Sequence, residues 1–216
     1  DKVVVIPDPE GFEEGTTQFP SIKALFEAIE APMNDMLLGH LPVSDCTTLR
    51  NGGVIVFTRY TKVAVLKAAR EIAVSDADMT DTVAEFRKNG VKMLEPDGPL
   101  ATEVMRNAEK GLARLQSQEV GLDLNETQNL GEFDVRPNAY SVMLLMSLSI
   151  DSQGTKKTVP LLASLTFIKI RQRILYLNVY YKISSPEALK TEFKPAMAEV
   201  TQFAKKWVDQ ILAANQ

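Results

Sequence analysis

The sequence predicts an α+β fold in which an antiparallel β-sheet meander is sandwiched between helices. Three observations predict it. Four β-rich segments follow one another between residues 131 and 183 with only short polar connections, which makes hairpins and hence antiparallel pairing. The last of them, Ile174-Leu175-Tyr176-Leu177-Asn178-Val179-Tyr180-Tyr181, is apolar or aromatic on both faces, so each face needs a covering layer. Segments with helical spacing lie on both sides of this block in the chain, and they are the candidates for those layers.

In chain order, Lys2-Val3-Val4-Val5-Ile6 is a short β-branched run stopped by Pro7 and Pro9, an edge strand or an extended arm. Residues 10–18 read as a loop. Ile22, Leu25, Phe26 and Ile29 recur at helical spacing, with Ser21 as N-cap and Pro32 as stop. Residues 33–42 fit no template. Asn51-Gly52-Gly53 signals a turn, and the β-branched run Val54 to Leu66 predicts one long strand or two abutting ones. Ser75, Asp76 and Asp78 suit a helix N-terminus. The stripe Met79, Val83, Phe86 continues that helix to Asn89-Gly90.

After the turn Glu95 to Pro99, a helix is expected from about Ala101 to Glu119, with Val104, Ala108, Leu112 and Leu115 on one face. Gly111 weakens it by about 1 kcal/mol relative to Ala, so packing there must compensate. The meander then comprises Gly131–Val135, Tyr140–Ile150, Leu161–Ile170 and Ile174–Ile183. A last helix starts after Ser184-Ser185-Pro186-Glu187, is kinked or restarted at Pro195, and presents Met197, Val200, Phe203, Trp207 and Ile211 as its stripe.

Size and composition narrow the function classes. The 216 residues, 45% hydrophobic and 24% charged, fit one globular domain over residues 1–216, without repeat or linker. A chain of this size buries roughly 70% of its unfolded surface and needs no disulfide. Its single cysteine, Cys46, allows no internal one. The formal charge of −4, with no basic run longer than two residues, argues against nucleic acid as partner. The longest apolar stretch, Ala139 to Ile150, is interrupted by Ser141, Ser147 and Ser149, so no integral membrane segment is expected.

The end of the chain carries a resemblance. A strand closing in a basic turn (Phe167-Ile168-Lys169-Ile170-Arg171) precedes the aromatic strand 174–181. A terminal helix then finishes Trp207-Val208-Asp209-Gln210-Ile211-Leu212-Ala213-Ala214-Asn215. This pattern resembles secreted bacterial proteins of unknown function with a PsbP-like fold. The resemblance implies an α/β/α sandwich around an antiparallel sheet and an accessory or binding role in the cell envelope. It transfers no catalytic residue. Together with the opening at Asp1 in place of Met, it leads to the expectation of a cleaved signal peptide and a periplasmic or secreted location. An arbitrary boundary and a cytoplasmic location are the alternative.

Candidate sites are few. His40 is the only histidine and lies six residues before Cys46, a spacing that admits a thiol nucleophile and its base only if folding joins them. The plainer reading is a loop histidine and a small buried thiol. One His and one Cys cannot supply a zinc site, Met143 and Met146 fall on opposite strand faces, and no metal or cofactor is expected. Phosphate-cradling glycine loops and a nucleophile elbow are absent from the sequence. Asp76, Asp78 and Asp81 are explained by helix capping.

Two groups remain as binding candidates. Tyr140, Tyr176, Tyr180 and Trp207 would line a cleft between sheet and helix, if core packing does not account for them. Lys169, Arg171 and Arg173 at one sheet end would hold a partner, if they are not merely charged hairpin ends. The expectation is therefore a non-enzymatic accessory or binding protein whose partner is an unknown protein or a small ligand. A small-ligand or lipid carrier with an aromatic cleft, and an enzyme around His40 and Cys46, are the alternatives.

Overall fold

The computed structural model describes residues 3–93, 95–116 and 119–216; the expectations at Lys2 and at residues 117–118, and for the side chain of Leu115, lie outside them. Seven antiparallel strands form one sheet: β1 (Phe12–Glu14), β2 (Asn34–Pro42), β3 (Arg59–Leu66), β4 (Val120–Arg136), β5 (Ala139–Ser152), β6 (Thr155–Ile170) and β7 (Arg173–Lys182). Their order is β1-β2-β3-β7-β6-β5-β4. The predicted meander is the half from β4 to β7. A second meander, β1 to β3, joins it where β3 pairs with β7, a contact between residues more than a hundred positions apart. The fold is α+β, with helices on both faces of the sheet.

Side-chain alternation separates two cores. On the front face, Val63, Val65, Leu175, Leu177, Val179, Leu162 and Ile168 meet α6 (Leu189–Ala214) through Ala196, Val200, Ala204, Trp207, Val208 and Ile211. Small residues (Ala196, Ala204) alternate with large ones (Val200, Trp207) on that buried stripe. Pro195 lies inside α6 without ending it. On the back face, α1 (Pro20–Ala28) buries Ile22, Leu25 and Phe26, and α3 (Asp76–Glu85) brings Met79 onto Tyr140 and Phe167. Beside them α5 (Pro99–Gln116) sets Ala108 against Val120 and Leu122. Gly111 is where α5 crosses α1: a Cβ there would stand 2.8 Å from Ala28 Cβ. That close approach is the compensation the mid-helix glycine requires.

Several elements depart from expectation for identifiable reasons. A short helix, α2 (Val43–Arg50), follows β2; its threonines return their hydroxyls to backbone carbonyls four residues back, a pattern that sequence periodicity does not register. Strand β3 begins only at Arg59, leaving Val54–Thr58 outside the sheet. Strand β4 is 17 residues long, far beyond the expected 131–135. It is an edge strand whose outer positions are polar, and three register shifts bend it, which guards the edge against further pairing. The first helix starts one residue before Ser21, with Pro20 in its first turn, and its cap position is Phe19. The 10–18 segment contains β1. A π-turn (Phe86–Gly90) and one helical turn, α4 (Val91–Met93), connect α3 to the loop before α5.

The N-terminal run is an arm. Val4 and Ile6 pack on the front core, Val5 N–H donates to Asn215 Oδ1 at 2.9 Å, and Asn215 Nδ2 donates to Val5 O at 2.6 Å. Trp207 Nε1 donates to Pro7 O at 2.9 Å, and Lys206 pairs with Glu10. No helix among the described residues is long and apolar enough to cross a membrane.

Candidate functional site

The back face carries the aromatic positions, and strand register explains their grouping. Tyr60 stands opposite Tyr180, and Ala64 opposite Tyr176, which in turn faces Phe167, which faces Tyr140. Antiparallel cross-strand neighbours share a face and touch, so two aromatic rows cross the sheet. Tyr60 and Tyr180 stack, with ring centroids 4.6 Å apart and planes 17° from parallel. Phe167 meets Tyr176 edge-on at 5.2 Å, and Phe86 from the π-turn covers Phe167 at 4.9 Å.

Between the rows lies a buried ion pair. Lys62 Nζ is 2.9 Å from Glu30 Oε2, with both side chains almost fully enclosed (2% and 6% exposed). Lys62 also donates to Ile29 O at 3.2 Å, and Glu30 Oε1 accepts from Ala31 N–H and from Asn34 Nδ2. Burial depresses the Lys62 pKa, while the Glu30 carboxylate opposes the shift. Burial likewise pushes the phenols of Tyr60 and Tyr180 well above their ordinary value. The pair locks the end of α1 to β3. Its sequence signal was the phase of Lys62, which falls with Tyr60 and Ala64 on one face of a strand.

A cleft opens on the same face beside this cluster. Its volume is about 340 Å³, and it is walled by Leu66, Ala69, Ile72, Val74, Ile174 and Tyr176, with Asp78 and Thr82 of α3 at the rim. The cleft forms because the chain between β3 and α3 arches over the sheet. That arch is fixed where Val74 N–H donates to Gln172 O at 3.0 Å and Ser75 caps α3 in a reciprocal box with Asp78. Burial raises the Tyr176 pKa, keeping the hydroxyl neutral and able to donate. A smaller hollow of about 140 Å³, beside Pro160, Pro186 and Leu189, lies away from the aromatic rows.

The four predicted aromatic residues do not share one cleft. Tyr176 lines the cleft, while Tyr180 stacks beside the ion pair. Tyr140 is buried under Phe86 and donates to Glu132 Oε1 at 3.1 Å, within a cluster where Arg87 holds Glu132 through two bonds and lies over the Tyr140 ring. Burial, then the Glu132 carboxylate, raises the Tyr140 pKa. Trp207 belongs to the opposite face, 1% exposed beneath α6, because its stripe docks on the front core. The basic residues act as ties within the chain: Lys169 pairs with Asp76, Arg171 donates to Val3 O, and Arg173 donates to Ile72 O and Gln172 O.

His40 and Cys46 are held apart by the sheet. His40 is fully buried on the front face, with Nδ1 2.9 Å from Thr61 Oγ1, Nε2 3.3 Å from Asp8, and its ring edge-on to Trp207 at 5.4 Å. Cys46 packs with Leu41, Ile22, Leu25 and Phe26 at the back. Burial, with smaller help from Glu13, raises the thiol pKa, opposite to what a nucleophile needs. The enzyme alternative built on that pair therefore lacks its geometry. Among the described residues no three His, Cys, Asp or Glu side chains gather as a metal site.

The chain matches no protein-family profile and no curated protein. It is similar to a Pseudomonas aeruginosa protein of unknown function, at 14% identity and a TM-score of 0.25, over 67% of this chain and 69% of that one. It is also similar to the Saccharomyces cerevisiae Ran-binding protein Mog1p, at 12% identity and a TM-score of 0.25, over 86% of this chain and 95% of that one. At these scores neither similarity bears on function.

Proposed function

We propose that the protein is a non-enzymatic accessory or binding protein of the bacterial cell envelope, and that the cleft beside Tyr176 receives what it binds. The cleft is the observation that carries this reading. Its volume falls in the range of small-molecule sites, its walls are mainly apolar, and its polar groups are few: the Tyr176 hydroxyl, with Thr82 and Asp78 at the rim. Such a lining fits a compact apolar group, either a free small molecule or a side chain presented by a protein partner. The resemblance of residues 167–215 to secreted PsbP-like proteins supports the class and the envelope location. The carrier reading is favoured by the same cleft, in which Tyr176 is the one predicted aromatic residue.

Native mass spectrometry of protein purified from its source, followed by thermal denaturation with indole, phenol and medium-chain alcohols, separates the two readings. A carrier shows a co-purifying mass or a raised melting temperature, since a ligand at one hundred times its Kd adds about 2.7 kcal/mol to stability. Thr82→Trp, which fills the rim, is expected to abolish either signal without lowering the baseline melting temperature. A bare polypeptide with no shift leaves the protein-partner reading. That reading fails in turn if affinity capture is unchanged by Thr82→Trp.

A further inference from the structure

Residues 54–57 have the local marks of a β-strand and no strand partner. Val54, Ile55, Val56 and Phe57 are β-branched or aromatic throughout. Their exposure alternates: Val54 is 93% and Val56 66% exposed, while Ile55 and Phe57 pack on the α1 core, Phe57 lying 6.0 Å from both Phe26 and Tyr60. That period of two is the period of extended backbone. The sheet gives out on both sides of the segment, because β2 turns into α2 after Pro42 and β7 ends at Lys182. The last contact with β7 is Lys182 N–H donating to Thr58 O at 2.8 Å, and the backbone groups of Val54–Phe57 have no hydrogen-bond partner among the described residues. Edge β4 is guarded by bulges and carboxylates; this edge carries neither.

We propose that Val54–Phe57 is the pairing edge of a homodimer, joined antiparallel to the same segment of a second copy about a two-fold axis at Ile55. Self-complementarity selects a second copy. The axis sets each Val54 opposite a Val56, so every contact occurs twice, as a closed two-fold interface requires. Asn51 through Thr58 carries no charge. The nearest charges, Arg50 at the end of α2 and Arg59 at the start of β3, flank the pairing segment and are already held by their own chain's Glu13 and Glu199. No like charges meet across the pair. Two bare apolar edges are covered, and in each copy Val54–Val56 pair with the same three residues of the other while Phe57 comes opposite Gly53. The interface is short, so association depends on concentration. The Tyr176 cleft lies beyond Leu66, at the other end of β3, and the dimer is independent of what it binds.

Sedimentation velocity from micromolar to millimolar concentration, with amide hydrogen exchange of the 54–57 peptide at both ends of that range, tests the pairing. The expected result is a monomer–dimer equilibrium in which exchange of this peptide slows as dimer accumulates. V54K/V56K sets lysine opposite lysine and is expected to be monomeric throughout. V54K/V56E sets lysine opposite glutamate and is expected to dimerise, less so in high salt. Both variants alter exposed side chains only, and circular dichroism confirms their fold. A wild-type chain that stays monomeric at millimolar concentration overturns the proposal. So does a V54K/V56K chain that dimerises, or a V54K/V56E chain that does not.

Discussion

Replacing Gly111 by alanine pits two rules against each other, and the structure decides the sign. In an isolated helix the change stabilises by about 1 kcal/mol, because alanine restricts the unfolded backbone and suits the helix. In this protein the added Cβ would lie 2.8 Å from Ala28 Cβ and 3.3 Å from Leu25 Cδ1. Ordinary carbon contacts sit at about 3.5–4.0 Å, so α1 and α5 must separate by roughly 1 Å. Overpacking of this kind costs about 1–3 kcal/mol. The net expectation is a destabilisation of about 0–2 kcal/mol, read as a lower urea midpoint by circular dichroism at unchanged slope. Ala28→Gly opens the space again, so the double variant should show a coupling of about 1–2 kcal/mol between the positions. A Gly111→Ala protein about 1 kcal/mol more stable than wild type, with no coupling to Ala28, would refute the packing argument.

Two further outcomes follow from the buried ionisable groups. Lys62→Met strands the Glu30 carboxylate without its cation and should cost about 3–5 kcal/mol in urea denaturation, while Lys62→Met with Glu30→Gln recovers most of it; a neutral single variant would mean water reaches the pair. His40 has its pKa held below the ordinary value by burial, with Asp8 and Glu14 opposing. The unfolded chain therefore takes up a proton below about pH 6.5 that the native state refuses, so His40's contribution is whole above that pH and is lost as pH falls from there towards the native-state value. His40→Gln should flatten the stability profile on the acid side of neutrality, and equal slopes in the two proteins count against the assignment.

The elements that could be read from the sequence were those whose signal is local. Strands β5 to β7 are bracketed by turn residues, and Trp207, Val200 and Ile211 recur at helical spacing, so their identity was plain. The first eleven residues of β4, 120–130, were missed because an edge strand with polar outer positions lacks the apolar alternation that marks a strand. Val54–Thr58 was over-read for the converse reason: β-propensity is high there, but β2 ends at Pro42 and β7 reaches no further than Thr58. Tyr176 and Tyr180, four residues apart, had to share a face. Nothing local told which face α6 would cover, and so Trp207 was grouped with tyrosines that lie across the sheet from it. The Lys62–Glu30 pair joins residues 32 positions apart and exists only after α1 has docked.

The sheet also divides the chromophores. Trp207, the only tryptophan, lies at the front with Tyr181, while Tyr60, Tyr140, Tyr176 and Tyr180 lie at the back. Indole emission therefore reports on α6 and the arm that hydrogen-bonds to the indole through Pro7 O. Tyrosine absorbance reports chiefly on the side that holds the cleft. A titration that moves one signal and leaves the other still will assign an event to one side of the molecule without any label.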